Sequence, residues 1–256
     1  LPALRAPVGE HCAVQGVVAR RMWAACSPYR AGFITSMAAV AGAVAGAVAQ
    51  EILACYEQPG IDRAWVNNGG DIALHLAPGQ SVTVGVYADI AALNAAQLRH
   101  GLVLDGQIHI DSAMPVRGVA TSGWRGRSQS LGIADSVTVL ARTAAQADAA
   151  ATIVANAVDV ADARIKRRPA WQVRDDSDLG AIPVTVGVPT LPQALVGRAL
   201  HQGLQKAQEL QSSGLLWFAL LACQGQWVAT SAPQTLANAV WPRNAVAESE
   251  VGSVFA

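Results

Sequence analysis

Apolar residues alternate with their neighbours at Ile72, Leu74 and Leu76, and again at Val82, Val84 and Val86, with an Ala-Pro-Gly-Gln stretch between the two runs. A period of two describes a strand with one buried face, and the Pro-Gly pair predicts that these strands form a β-hairpin. A second hairpin is predicted from the LLWFALLA run through Cys223–Gly225 into QWVAT, with single strands at Ile133–Ala141 and Ile182–Val188. Fainter strand patterns lie at Ala13–Val18, Gly101–Leu104 and Gln107–Ile110. Arg117–Ser122 leads into a loop carrying Gly123, Trp124, Arg125 and Gly126.

Three segments read as helices. Ser36–Tyr56 carries the run MAAVAGAVAQEILACY, free of polar side chains until Gln50, so its first turns are expected to be buried on all sides. Ala38, Gly42 and Gly46 share one face of it, which lets another backbone or a ligand approach closely, and close helix packing is the preferred reading. Ala144–Arg168 is the second helix; its basic end, Lys166–Arg168, suits a helix C-terminus and Pro169 stops it. Gln193–Leu210 is the third. Helices this rich in alanine need cover on most sides, so the expected fold is α+β, with two mostly antiparallel sheets and the alanine-rich helices packed between or across them. Residues 1–256 read as a single domain, in which strand-then-helix alternation hints at two similar halves meeting near residues 90–115.

Composition narrows the function classes. Eighteen basic and eighteen acidic side chains give a formal net charge of zero, which argues against a general electrostatic grip on nucleic acid or an anionic membrane. Of the residues, 52% are apolar and 14% charged, so a large core is expected, and a homo-oligomer is compatible with it. Cys12, Cys26, Cys55 and Cys223 are scattered without a C-x-x-C, which reads as reduced thiols in a cytoplasmic protein. The longest apolar helical run, Met37–Ala49, has thirteen residues where a bilayer needs roughly 20, and no signal-peptide pattern opens the chain.

Candidate chemistry gathers in two places. Asn67, Asn68, Gly69 and Gly70 lie between apolar strand-like runs, and these residue types best tolerate positive φ. The segment is either a plain turn or a concave array of N–H groups able to hold an anion or a cofactor edge. On the second helix Asp148, Thr152, Asn156, Asp159 and Asp162 fall within about a 120° arc at 100° per residue. Asp148 and Thr152 sit one turn apart and offer the hard oxygen ligands that suit Mg²⁺ or Ca²⁺; a solvated helix edge is the bland alternative. The five histidines lie far apart, Gly126-Arg-Ser128-Gln-Ser130 is not a nucleophile elbow, and both the dinucleotide and the phosphate-loop fingerprints are absent.

Four ordered stretches, FITSMAAVAGAVAQEIL, VNNGGDIALHL, ATSGWRGRSQSLGIADSVTVLA and the AADAAATIVANAVD-like helix, together with DDSDLGAIPVTV, carry a family resemblance from about Phe33 to Thr230. The chain resembles the ApbE-like superfamily (FAD:protein FMN transferase-like) and is closest to an ApbE-related branch of bacterial and archaeal proteins. The resemblance implies that Asp148 and Thr152, at A-D-x-x-x-T spacing, bind Mg²⁺, with Asp148 the catalytic residue. It implies that Asn67, Asn68, Gly69, Gly70 and Asp71 line a site for FAD or a related flavin. Thr121, Ser122 and Gly123 match the T-S-G segment, with Trp124 placed to stack on an aromatic ligand and Arg125 to meet a phosphate. Two departures stand out: the H-I-I-D-P-x-T-G segment is missing, and Val44-Ala45-Gly46-Ala47 stands where the enzymes carry A-K-G-Y. These departures set FMN transfer apart from the other motifs, so the resemblance implies either a flavin (FMN) transferase-like enzyme with a protein hydroxyl as acceptor or a FAD pyrophosphatase-like enzyme with water as acceptor.

Three functions are expected from this reading. The first is a divalent-metal-dependent enzyme acting on a flavin- or nucleotide-like small molecule. The second is a binding protein that kept the cleft without the chemistry. The third is an enzyme for a pterin-like or other small heterocycle on the same scaffold.

Overall fold

The computed structural model of the chain describes residues 1–56, 60–86 and 106–231. Within them the asparagine-glycine segment decides the first pairing. Gly69 (φ +69°) and Gly70 (φ +101°) close a two-residue turn between β1 (Arg63–Asn68) and β2 (Asp71–Leu76), which pair antiparallel from Asn68↔Asp71 to Arg63↔Leu76. Positive φ at both turn positions matches the twist of the flanking strands, so this hairpin is the locally favoured one. β3 (Ser81–Val86) pairs instead with β4 (Gly106–Asp111), which corrects the expected β2–β3 hairpin. The Pro-Gly stretch carries the chain out of one sheet and into another. Ile72, Leu74 and Leu76 then meet Val84 and Val86 face to face in one core cluster rather than edge to edge.

The remaining strands extend the sheet begun by β1 and β2. β5 (Gly118–Ser122), β6 (Ser136–Ala141), β9 (Phe218–Cys223) and β10 (Gln226–Ala229) give the order β1-β2-β5-β6-β9-β10, antiparallel throughout. The β9–β10 hairpin is the one expected from the C-terminal pattern, turned by Gln224 and Gly225, both at positive φ. A separate pair, β7 (Lys166–Pro169) with β8 (Pro183–Gly187), completes the sheets among the described residues. The fold is α+β, with its antiparallel strands in one six-stranded and two two-stranded sheets. The faint strand at Gln107–Ile110 falls in β4, whereas Gly101–Leu104 and much of the 90–115 junction lie outside the described residues.

The helices cover one face of the large sheet and the β3–β4 pair covers part of the other. Among the described residues, besides two one-turn helices, α1 (Pro2–Arg5) and α5 (Ala170–Val173), there are α2 (Val17–Cys26), α3 (Val40–Cys55), α4 (Ala144–Ala157) and α6 (Gln193–Ser212). Gly16, at φ +91°, turns the chain into α2, which replaces the strand expected at Ala13–Val18. The 3-10 turn Ser36–Ala39 precedes α3, and Thr35 caps it by accepting from the Met37 amide. On α4 the buried alanines and Val154 meet Val137, Val139 and Ala141 of β6 and Val196, Ala199 and Leu200 of α6 in the main core. Ala45 and Ala49 of α3 pack on Ala73 of β2 and Ala144 of α4.

α4 ends eleven residues before the expected Arg168. Val158 leaves the helix (φ −75°, ψ 85°), and its carbonyl accepts from the Ile133 amide at 2.8 Å, so the next residues follow the loop at Gly132 and Ile133. Lys166–Arg168 therefore lie in β7 and do not terminate a helix. The segment Ser36–Cys55 has 20 residues and mean hydropathy 1.7, long and apolar enough to cross a membrane and longer than the thirteen-residue run suggests. Gly42, Ala43, Ala45 and Ala49 face inward against the sheet and α4, whereas Val40, Val48 and Ile52 are exposed, so α3 is buried on one side and not on all sides as expected.

Candidate functional site

The β1–β2 turn and the start of α3 are tied together by side chains. Asn67 Oδ1 accepts from the Gly70 amide at 2.8 Å, closing the turn on itself. Asn68 Nδ2 donates to the Ala41 carbonyl at 3.1 Å, fixing the turn to α3. The two asparagines thus have separate tasks, one inside the turn and one reaching out of it. The N–H groups of Gly42 and Ala41 are directed at Asp148 of α4; the Gly42 amide donates to Oδ2 at 3.0 Å. Gly42 also sits so close to α4 that a Cβ there would overlap the Ala144 carbonyl, so the close-packing reading of the small-residue face holds at this position.

Asp71 opens β2 directly after the turn and shares its helix-side face with Ala73. It is 8% exposed, the Thr121 amide of β5 donates to its carboxylate, and its Oδ1 is buried with no hydrogen-bond partner. Such an oxygen is costly to bury alone. Burial, then the charge of Asp148, pushes the Asp71 carboxyl up to about 8, against the Thr121 amide and the charge of Arg127. Burial likewise pushes Asp148 up to about 7, against donation from Gly42 and Ala41. Two carboxylates in one buried place cannot both ionise cheaply, so the pair retains a proton or needs a cation. The donor set, two carboxylates with one oxygen uncommitted, fits a hard divalent cation. No group of three or more His, Cys, Asp or Glu side chains able to hold a metal occurs among the described residues, so backbone, hydroxyl or ligand oxygens would have to supply the rest.

A family model described as AbpE bacteria matches residues 1–229. The chain belongs to the AbpE bacteria family. It is similar to a UPF0280 protein of Methanothrix thermoacetophila, 36% identical over 153 residues, which is 58% of this chain and 55% of that protein. A UPF0280 protein of Methanopyrus kandleri is 37% identical over 161 residues, 62% of this chain and 56% of that one. A third, from Methanospirillum hungatei, is 35% identical over 139 residues, 54% and 50% of the two chains. The chain spans about half the length of the curated relatives it matches. These matches correct the resemblance to the ApbE-like superfamily and its FAD:protein FMN transferases. The family that matches is the AbpE bacteria family, and the relatives carry the UPF0280 name, not that of a flavin transferase.

In this member of the AbpE bacteria family the expected site residues divide into two groups. Asn67 through Asp71, Thr121 and Asp148 converge as described. Thr152 is half-buried one turn along α4 from Asp148, on the same side of the helix. Ser122 ends β5, and Gly123 packs so tightly on Asp135 that a Cβ would overlap its carbonyl. Trp124 and Arg125 are engaged elsewhere. The indole Nε1 donates to Asp135 Oδ1 at 3.3 Å, Arg125 Nε lies 3.6 Å from the same oxygen, and the guanidinium stacks 5.1 Å from the indole centroid. Asp135 Oδ2 accepts from the Gln224 amide, tying this loop to the β9–β10 turn.

The polar stripe expected on α4 also divides. Asn156 Oδ1 accepts from Ser130 Oγ at 3.2 Å and the Leu131 amide at 2.9 Å, a clamp on the loop before β6. Asp159 pairs with Arg167 and Asp162 with Arg164, both beyond the helix end. Cys26, buried nearby, has its thiol pushed up by burial and then by the charges of Asp148 and Asp178, so it is not a ready nucleophile. Two contributors were not foreseen. Gly42 offers its amide to Asp148, and Arg127 lays its guanidinium on Gly69. Only the spacing of small residues signalled the first; nothing local marks the second.

Proposed function

We propose that the protein is a divalent-cation-dependent enzyme acting on a phosphate-bearing, flavin- or nucleotide-like small molecule in the cleft between the β1–β2 turn and α4. The observation that carries this reading is the buried Asp71 oxygen without a partner, with the half-buried Asp148 carboxylate close enough to act on it. Asp71 and Asp148 would hold the cation, with Thr152 the nearest additional hard donor along α4. A bound Mg²⁺ would supply neutralisation of a phosphate oxygen and polarisation of its phosphorus for attack. The chain's own part is to hold both carboxylates in place and to ease their ionisation when a cation is bound: Gly42 and Ala41 donate to one, and Thr121 donates to the other. With water as the acceptor the reaction is a hydrolysis of the phosphoanhydride, releasing a nucleotide and the remaining phosphate ester.

A cytoplasmic setting goes with it, since all four cysteines are free thiols and two of them, Cys12 and Cys55, are exposed. The test is release of AMP from FAD, or of a nucleotide from a related pyrophosphate, by the purified chain with and without Mg²⁺. Turnover that depends on Mg²⁺ and disappears in Asp148→Asn supports the proposal. Turnover that is indifferent to both refutes it.

A further inference from the structure

We propose that Arg127 is the anion-gripping residue of this site, placed to take a phosphate or pyrophosphate group of the ligand across the Gly69–Gly70 turn. The proposal rests on the reading of Asp71 and Asp148 as the cation site. Gly69 stands at φ +69° and carries no side chain, and the Arg127 guanidinium fills the space a Cβ would occupy, with Nη2 the nearest atom. That places a positive charge at the mouth of the turn, close enough to act on the buried Asp71 carboxyl.

The loop around Arg127 is held by bonds that do not use this guanidinium. Arg174 Nη2 donates to the Arg127 carbonyl at 2.9 Å, and Gln129 Nε2 donates to the Ala170 carbonyl at 3.0 Å. Ser177 Oγ donates to Gln129 Oε1, and the Thr185 amide donates to the Ser130 carbonyl at 2.8 Å. Residues 170–185 therefore brace the loop from behind and leave the Arg127 head at the turn. Arg5, Arg125, Arg164 and Arg167 all have carboxylate partners, whereas among the described residues Arg127 takes part in no ion pair. An exposed guanidinium on a braced loop and in no ion pair, next to a buried carboxylate with an uncommitted oxygen, marks a site for a ligand that brings both a cation and an anion. A phosphate held through a divalent cation meets that description, and the planar fork of arginine matches two of its oxygens.

The probe is inorganic pyrophosphate, titrated calorimetrically into the whole chain at saturating Mg²⁺, with Mg²⁺ alone titrated separately. Arg127→Ala is expected to weaken pyrophosphate binding at least about tenfold, the range for losing a charged hydrogen bond. Arg127→Lys is expected to recover only part of the loss, and the fall in pyrophosphate affinity of Arg127→Ala should exceed any change in its Mg²⁺ affinity measured without anion. Equal pyrophosphate affinity in wild type and Arg127→Ala overturns the assignment, as does a loss seen in Arg125→Ala alone. A wild type that binds Mg²⁺ but no pyrophosphate also overturns it while sparing the cation site. Arg127-dependent pyrophosphate binding without any Mg²⁺ uptake would retain Arg127 and sink the cation reading.

Discussion

The Gly42 amide of α3 donates to Asp148 Oδ2 of α4 at 3.0 Å, and it can do so only because Gly42 has no side chain. A Cβ there would overlap the Ala144 carbonyl, so the closeness that packs the two helices also delivers the amide to the carboxylate. Packing and site are one contact. Gly42→Ala is predicted to force the helices apart, lowering stability by about 1–3 kcal/mol, the usual range for overpacking. Its Mg²⁺ affinity should fall as well. Thermal denaturation and metal titration on the same variant check both effects.

The Asp71–Asp148 pair makes stability depend on pH in a defined direction. Both carboxyls have folded values, about 8 and about 7, above the unfolded value of roughly 4, so the native state binds more protons over that interval. The contribution of the pair is intact below about pH 4, falls as pH rises above the unfolded value, and is fully lost once pH has passed through the folded values of about 7 and about 8. Metal-free protein is predicted to lose Tm over this range, and Asp148→Asn, by removing one charge, should flatten the loss. At pH 8 the variant should be more stable than wild type by on the order of 2 kcal/mol, roughly 4–8 °C in Tm. Added Mg²⁺ should raise the Tm of wild type and not that of the variant.

Gly69→Ala would put a methyl where the Arg127 guanidinium lies and strain a residue at φ +69°. A cost of about 1 kcal/mol is expected from the backbone alone. The sharper expectation is that pyrophosphate affinity falls by more than Mg²⁺ affinity changes, as in Arg127→Ala. Parallel titrations of the two variants test whether they act through the same contact.

Asn156 gives a contrasting case on the same helix. Its Oδ1 accepts from Ser130 Oγ and the Leu131 amide, so Asn156→Ala leaves a buried loop short of an acceptor and is predicted to cost about 1–3 kcal/mol. Mg²⁺ affinity should not change, because the clamp serves the loop before β6. Urea denaturation together with metal titration separates the two.

Much of this was legible in the chain. The alternation at Ile72–Leu76 and Val82–Val86 gave both strands their faces, and the alanine runs gave the helices α3 and α4, of which α4 is the largely buried one. Pairing was less accessible, because a period of two says which side is buried and not which edge is bonded. The Asn68–Gly69–Gly70–Asp71 turn, with two positive-φ positions, carried the stronger hairpin signal than Pro-Gly. The end of α4 at Ala157 was hidden because a distant amide, Ile133, takes the Val158 carbonyl. In the site, Asp71 and Asp148 were within reach of the sequence. Arg127 was not, since its place depends on a loop braced by residues 170–185, and the contact of Trp124 and Arg125 with Asp135 was not legible either, because Asp135 has no local signature.

The central claim is that Asp71 and Asp148 together hold a divalent cation. Calorimetric titration of Mg²⁺ into metal-free wild type, Asp71→Asn and Asp148→Asn at pH 8 tests it most directly. The account predicts a single binding event per chain in wild type, with proton release, and at least about tenfold weaker binding in each variant. No uptake by wild type, or equal uptake by all three proteins, would contradict it.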